Sequence, residues 1–242
     1  MWNDSYYSAP TVGQLKAKAA KSAVKLQKKK IVLSPVIIQG RTIARSWWGK
    51  AWLENLESYA DYWNRLSRGR SYAINGMVLD LQVSANRIDA IVQGSRVAPY
   101  NITVAIDALP DKRLAGIGQF CAERIAILDD LLSGSFPDDL AQTFTDRKIG
   151  LFPSPKEIRF SCSCPDYADM CKHVAAVLCG VGARLDEQPE LFFLMRGIPT
   201  ERLLRSSVDK KVETWMSAAS GESSRVLSKE EMSGLFGEFD AE

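Results

Sequence analysis

The 242-residue sequence predicts an α+β fold: an aromatic-rich helix packed on a short antiparallel β-meander, then a strand, a cysteine-rich knuckle and a helix, then C-terminal helices. Three observations carry this. From Ser46 onward, Trp48, Trp52, Leu56, Tyr59, Trp63 and Leu66 recur at steps of four and three, the period of one helix face over about 20 residues. Met77, Leu79, Leu81 and Val83 alternate with Val78, Asp80 and Gln82; beyond a turn at Asn86 the alternation resumes at Ile88, Ala90 and Val92, and again at Tyr100, Ile102, Val104 and Ile106. Finally, Cys162, Cys164 and Cys171 crowd between strand-like Ile158-Arg159-Phe160 and a small-residue helical run from Val174.

The elements divide the chain into four parts. Residues 1–40 read as a basic mobile arm. The first 52 residues hold ten Lys or Arg and one acid, Asp4, which leaves −7 on the remainder of a chain whose formal net charge is only +2. Lys16, Lys18, Lys21, Lys25, Lys28, Lys29 and Lys30 sit in an Ala-rich stretch, where Leu15, Ala19, Ala23 and Leu26 repeat at helical spacing opposite Lys18, Lys21, Lys25 and Lys28, so a polyanion could order the arm as a basic amphipathic helix; a solvated arm is the alternative. Residues 41–152 form the α+β domain. Tryptophans on one helical stripe are core residues first and base-stacking residues second. Arg65, Arg68 and Arg70 surround Gly69 in an expected loop, where guanidinium forks could meet phosphate, or where they simply line a solvated turn. The meander packs its inner face on the tryptophan helix, and a helix after Pro110, with Leu114, Ile117, Cys121, Ile125, Leu128 and Leu132 on one side, completes the layer.

Residues 153–198 carry the chemistry. Cys162, Cys164, Cys171 and His173 form Cys-x-Cys, six residues, Cys-x-His. Two residues two apart on an extended segment point to one side, so Cys162 and Cys164 can share an ion. Cys171 and His173 must sit at the helix entrance, because within a helix that spacing splays them apart. Three thiolates and one neutral imidazole make a closed tetrahedral set for zinc, with no position left for water. Such a site is structural, and metal binding is expected to supply ~10 kcal/mol or more to a short segment with little core of its own. Lys172, between two ligands, offsets the net negative charge of the site and could touch phosphate; Asp166 and Asp169 oppose a nucleic-acid backbone there, or hold loop amides. Cys179 belongs to packing.

The same residues exclude much else. The chain's one histidine is committed to metal, so triads that need an imidazole base lose it. No phosphate-binding Gly-x-x-x-x-Gly-Lys-Ser/Thr occurs, since Gly49-Lys50 runs into Ala51, and Gly116-x-Gly118 lies in a helical pattern. Asp129-Asp130 and Asp138-Asp139 read as helix-end acids. No apolar run reaches the ~18 residues of a membrane span. Clustered thiols without a disulfide framework point to the reducing cytoplasm.

Cys162-x-Cys164-Pro-Asp-Tyr-Ala followed by Cys171-Lys-His173-Val-Ala-Ala-Val-Leu resembles the SWIM zinc finger. Trp47-Trp48-Gly49-Lys50, the Arg65 to Tyr72 segment and Val92-Gln93-Gly94-Ser95-Arg96 resemble the front half of bacterial stand-alone SWIM proteins, so the likeness runs from about Ser46 to Gly197. The resemblance implies zinc on those four ligands, and association with DNA, RNA or protein. It also implies a helicase-like ATPase of the Swi/Snf type as neighbour. Residues 199–242 read as C-terminal helices with an acidic tail; Ser228-x-x-Glu231 opens a last helix as a capping box, tethered for interaction or docked on its own domain. The expected function is a zinc-binding, non-catalytic nucleic-acid-binding accessory protein, DNA ahead of RNA, using Arg65, Arg68, Arg70, Lys172, Lys21, Lys25, Lys28, Lys29 and Lys30. The alternative is a protein–protein interaction subunit without nucleic-acid contact.

Overall fold

The computed structural model describes residues 10–122, 128–135, 137–166, 168 and 170–199. The helices and acidic tail expected beyond 199 therefore lie outside the described residues, as do Ile125, Asp169 and the side chains of Trp63 and Cys121. The architecture is α+β, with a four-stranded antiparallel sheet in the order β1-β2-β3-β4: Val78–Ser84, Arg87–Val92, Tyr100–Ile106 and Ile158–Cys162.

The three predicted strands form the meander. Asn86, at φ 59°, turns β1 into β2, as a short polar side chain tolerates that left-handed conformation. The fourth strand was expected to belong to a separate segment. It pairs in register with β3, from Ile106 opposite Ile158 to Ile102 opposite Cys162, so the strand that delivers the first cysteine is part of the common sheet.

One apolar core spans both predicted domains. Its centre is the helix that follows the cysteines. Numbering helices along the chain, α1 is Val12–Lys28, α2 Trp47–Glu57, α3 Ala60–Ile74, α4 Asp111–Ala122, α5 Leu128–Ser133, α6 Asp138–Thr145, α7 Lys172–Arg184 and α8 Glu190–Met195. Every residue of α7 from His173 to Gly182 is buried, because the sheet covers one side and α2 and α3 cover the other. The tryptophan helix therefore reaches the sheet through α7 rather than directly. Trp52 donates its indole N–H to the Leu178 carbonyl at 2.9 Å, and Trp48 donates to Leu131 at 2.9 Å while stacking among Phe144, Phe192 and Phe193. Both indoles are fully buried, which makes them core residues.

Two local expectations are corrected. The aromatic stripe does not lie on one helix of about 20 residues; α2 ends at Glu57 and α3 begins at Ala60. The Ser58 hydroxyl donates to the Asn55 carbonyl, and Tyr59 takes an extended backbone, which turns the chain without proline or glycine. Arg65, Arg68 and Arg70 are consequently not in a loop but on α3. Gly69 is helical there for want of room: a Cβ at this position would come within 2.5 Å of the Ala175 backbone of α7. Leu66, Gly69 and Ala73 continue the buried stripe and let the two helices touch.

The Lys-rich segment is not a mobile arm but a docked helix. Thr11 and Gln14 close a capping box on α1, and Leu15, Ala19 and Ser22 are buried. The Ser22 hydroxyl donates to Gln93 Oε1 at 2.7 Å, and Lys18 Nζ donates to the Ser95 carbonyl at 2.7 Å, so α1 is held on the β2–β3 loop. Gln93 is itself fully buried and donates to the Gly94 and Arg96 carbonyls.

Candidate metal centre

Cys162 ends β4, Cys164 follows two residues later, and Cys171 and His173 open α7. Cys171 is the extended N-cap of that helix, its sulfur accepting the Val174 N–H at 3.5 Å, while His173 lies in the first turn, so the ligand pair straddles the helix entrance and both side chains reach the same point. The four donor atoms lie within 4.8 Å of one another. His173 Nδ1 stands 3.7 Å from Cys171 Sγ, close to the edge of about 3.6 Å expected in a tetrahedron with metal–ligand bonds of 2.0–2.3 Å. The expected ligand set is thus brought together complete. Cys179 is remote from it, fully buried in α7, its thiol pushed up to about 12 by burial.

The electrostatics fit a cation. The Cys171 thiol is pulled down to about 3, first by the hydrogen bond from Cys162 and, against burial, by His173. Cys162 is pushed up by the same bond, and burial pushes Cys164 up against an amide hydrogen bond from Asp166. Three crowded sulfurs thus hold their charge at one place; a divalent ion among them stabilises all three as thiolates. His173 Nε2 is buried without a hydrogen-bond partner among the described residues. A metal ion held on Nδ1, which is turned to the Cys171 sulfur, would leave the ring proton on Nε2.

Ligating histidines usually donate that second N–H to a carboxylate or carbonyl. Here packing orients the ring. It lies between Tyr100, centroids 4.5 Å apart, and Tyr72, at 5.6 Å, while Gly94 closes the slot: a Cβ on Gly94 would sit 2.7 Å from Nε2 and would strike the Tyr100 ring. Gly94→Ala is therefore expected to weaken metal affinity about 10- to 100-fold, the range seen when support of a ligand is lost; competition with a chromogenic chelator measures it. Tyr72, Tyr100 and Gly94 were not singled out as site residues from the sequence, because long-range packing alone brings them to His173.

The Cys3His arrangement at a strand end and helix start agrees with a comparison against known families: the SWIM zinc finger model matches residues 160–178. The chain carries a SWIM zinc finger. An uncharacterized protein of Mycobacterium tuberculosis, Rv2102, is 40% identical over 163 residues, covering 67% of this chain and 58% of that protein. The chain thus spans less than two thirds of this relative. No solved structure matches the chain.

The finger is not the self-contained appendage that its short cysteine-rich sequence suggested. Its strand belongs to the sheet and its helix is the centre of the core, so apolar burial rather than metal alone orders it. The residues expected at phosphate sit as follows. Arg65 pairs with Asp166 of the knuckle at 3.2 Å, and Asp166 also accepts the Ala168 amide. Arg70 pairs with Glu57. Arg68 is exposed on α3. Lys172 lies over the Tyr72 ring, 5.6 Å from its centroid. The lysines of α1 are on a helix that rests on the loop whose Gly94 backs His173.

Proposed function

We propose that this is a zinc-holding, non-catalytic nucleic-acid-binding accessory protein of the cytoplasm, taking DNA ahead of RNA and working beside a helicase-like ATPase of the Swi/Snf type. Three soft thiolates and one imidazole favour zinc over magnesium or calcium, and four protein ligands leave no open position for chemistry. A reducing compartment keeps those thiols available. Among the described residues no helix is long and apolar enough to cross a membrane. The ATPase partner rests on the resemblance to bacterial stand-alone SWIM proteins.

The observation that carries the reading is the exposed face of α1. Lys16, Lys21, Lys25, Lys28, Lys29 and Lys30 are all exposed, and no ion pair among the described residues neutralises any of them. Docking of α1 holds these cations in place before any polyanion arrives, which lowers the ordering cost of binding. Two of the three arginines first considered are instead already paired with carboxylates. The variant Lys21→Ala/Lys25→Ala/Lys28→Ala is expected to weaken oligonucleotide binding at least tenfold at low salt, and Arg65→Ala/Arg68→Ala/Arg70→Ala less than that. Fluorescence anisotropy with a labelled oligonucleotide measures both; an arginine variant that loses more affinity than the lysine variant returns the contact to α3.

A second reading, protein–protein interaction, has one observation in its favour. A cleft of about 1020 Å³ runs along β4, an outer strand of the sheet, beside the finger, with Arg65, Lys156, Arg159 and Met170 among its walls. Its arginines are paired with Asp166 and Asp107, so it lacks the unbalanced charge of α1. Co-purification of a partner that survives high salt and nuclease would favour this reading.

A further inference from the structure

The lysines of α1 do not stand on an open convex face. Lys18, Lys21, Lys25 and Lys29 form one wall of a groove of about 320 Å³, and Val97, Ala98 and Pro99 of the β2–β3 loop form the other, with Leu26 between them. Val97 is 87% exposed, an aliphatic side chain held out beside a row of cations. Lys18 is tied to the Ser95 carbonyl and fixes the loop against the helix, while Lys21, Lys25 and Lys29 project at four-residue intervals, about 6 Å apart along the axis. Arg96, in the same loop, is exposed.

This combination discriminates between forms of nucleic acid. A duplex offers the lysines its phosphates but keeps its base faces inside the stack, so the apolar wall gains nothing from it. A single strand offers both a charged backbone and unpaired apolar base faces. We propose that the groove between α1 and residues 97–99 is a single-strand site, in which Lys21, Lys25 and Lys29 follow the phosphodiester backbone and Val97 and Pro99 take the face of an unpaired base. The proposal rests on the nucleic-acid reading above and adds to it the strandedness of the ligand and the residues that select it. An acidic protein segment with an apolar anchor is the competing occupant; the repeated single charges favour a phosphodiester chain.

The test measures anisotropy of a labelled oligo-thymidylate of about 15 nucleotides, long enough to fill one such site, and of the same strand in duplex. Wild-type protein, Val97→Asp and Val97→Trp are compared, each first checked for unchanged metal content and thermal unfolding. The expected result is single-strand binding at least tenfold tighter than duplex, weakened at least tenfold by Val97→Asp and tightened by the uncharged Val97→Trp, which changes duplex binding less than about twofold. Equal binding of both forms, insensitive to Val97 but weakened by Lys21→Ala/Lys25→Ala/Lys28→Ala, overturns the groove assignment and leaves the nucleic-acid reading standing. Failure of both oligonucleotides to bind overturns both. A Glu/Leu peptide whose binding Val97→Asp abolishes, with single-strand binding untouched, overturns the proposal by giving the groove to an acidic partner.

Discussion

Cys171→Ser is expected to abolish stable zinc binding and to lower the melting temperature by about 8–16 °C, the equivalent of roughly 4 kcal/mol if zinc is held at about a thousandfold above its dissociation constant. Serine is a good N-cap, so this variant keeps an acceptor for the Val174 amide and removes the ligand alone. Cys171→Ala removes both and is expected to cost about 1 kcal/mol more. Cys164→Ser ligates no better but caps nothing, so it should match Cys171→Ser in zinc loss. The apo variants should keep most of their helical circular dichroism, because α7 is buried between the sheet and two helices rather than built around the ion. Metal analysis together with thermal unfolding checks the set; collapse of all helical signal on loss of zinc would instead make the finger metal-dependent in the manner of isolated zinc fingers.

Glu157→Ala is expected to destabilise the fold by about 3–5 kcal/mol, since it leaves a buried guanidinium without its countercharge. Arg196 is fully buried; it donates to Glu157 Oε1 at 2.9 Å and to the Leu151 carbonyl at 2.9 Å, and so pins the end of α8 to the turn at Pro155–Glu157 that leads into β4. Burial alone would push the Glu157 carboxyl up, but the Ser154 amide and hydroxyl and Arg196 outweigh it and hold it below the usual range. A carboxyl held down in the folded state contributes stability that is present above its unfolded value and lost as pH falls through its folded one. The wild type should therefore lose part of its stability below about pH 4, and Glu157→Gln should flatten that acid limb. Denaturant unfolding at several pH values measures it.

The fold class was legible because each element shows its burial as a period. Alternation marked β1 to β3, and a stripe at steps of three and four marked Trp48, Trp52 and Leu56. What escaped was decided by contacts that leave no period. A single Ser58 hydroxyl and an extended Tyr59 split one stripe into two helices. Gly69, read as a loop former, is a helical residue chosen for smallness, and its spacing from Leu66 and Ala73 was the available signal. The docking of α1 depends on Ser22 and Gln93, a buried polar pair that apolar patterning cannot reveal. At the metal centre the four ligands were legible, since spacing and donor chemistry identify them locally. The slot of Tyr72, Tyr100 and Gly94 was not, because three separate elements build it.

Function remains the part that one number decides. If Lys21, Lys25 and Lys29 neutralise about three phosphates of a single strand, the plot of log affinity against log salt concentration has a slope of about −2, and Lys21→Ala/Lys25→Ala/Lys28→Ala, which leaves one of them, reduces it to about −0.7. A slope near zero in the wild type, or one that the lysine variant leaves unchanged, would contradict the account.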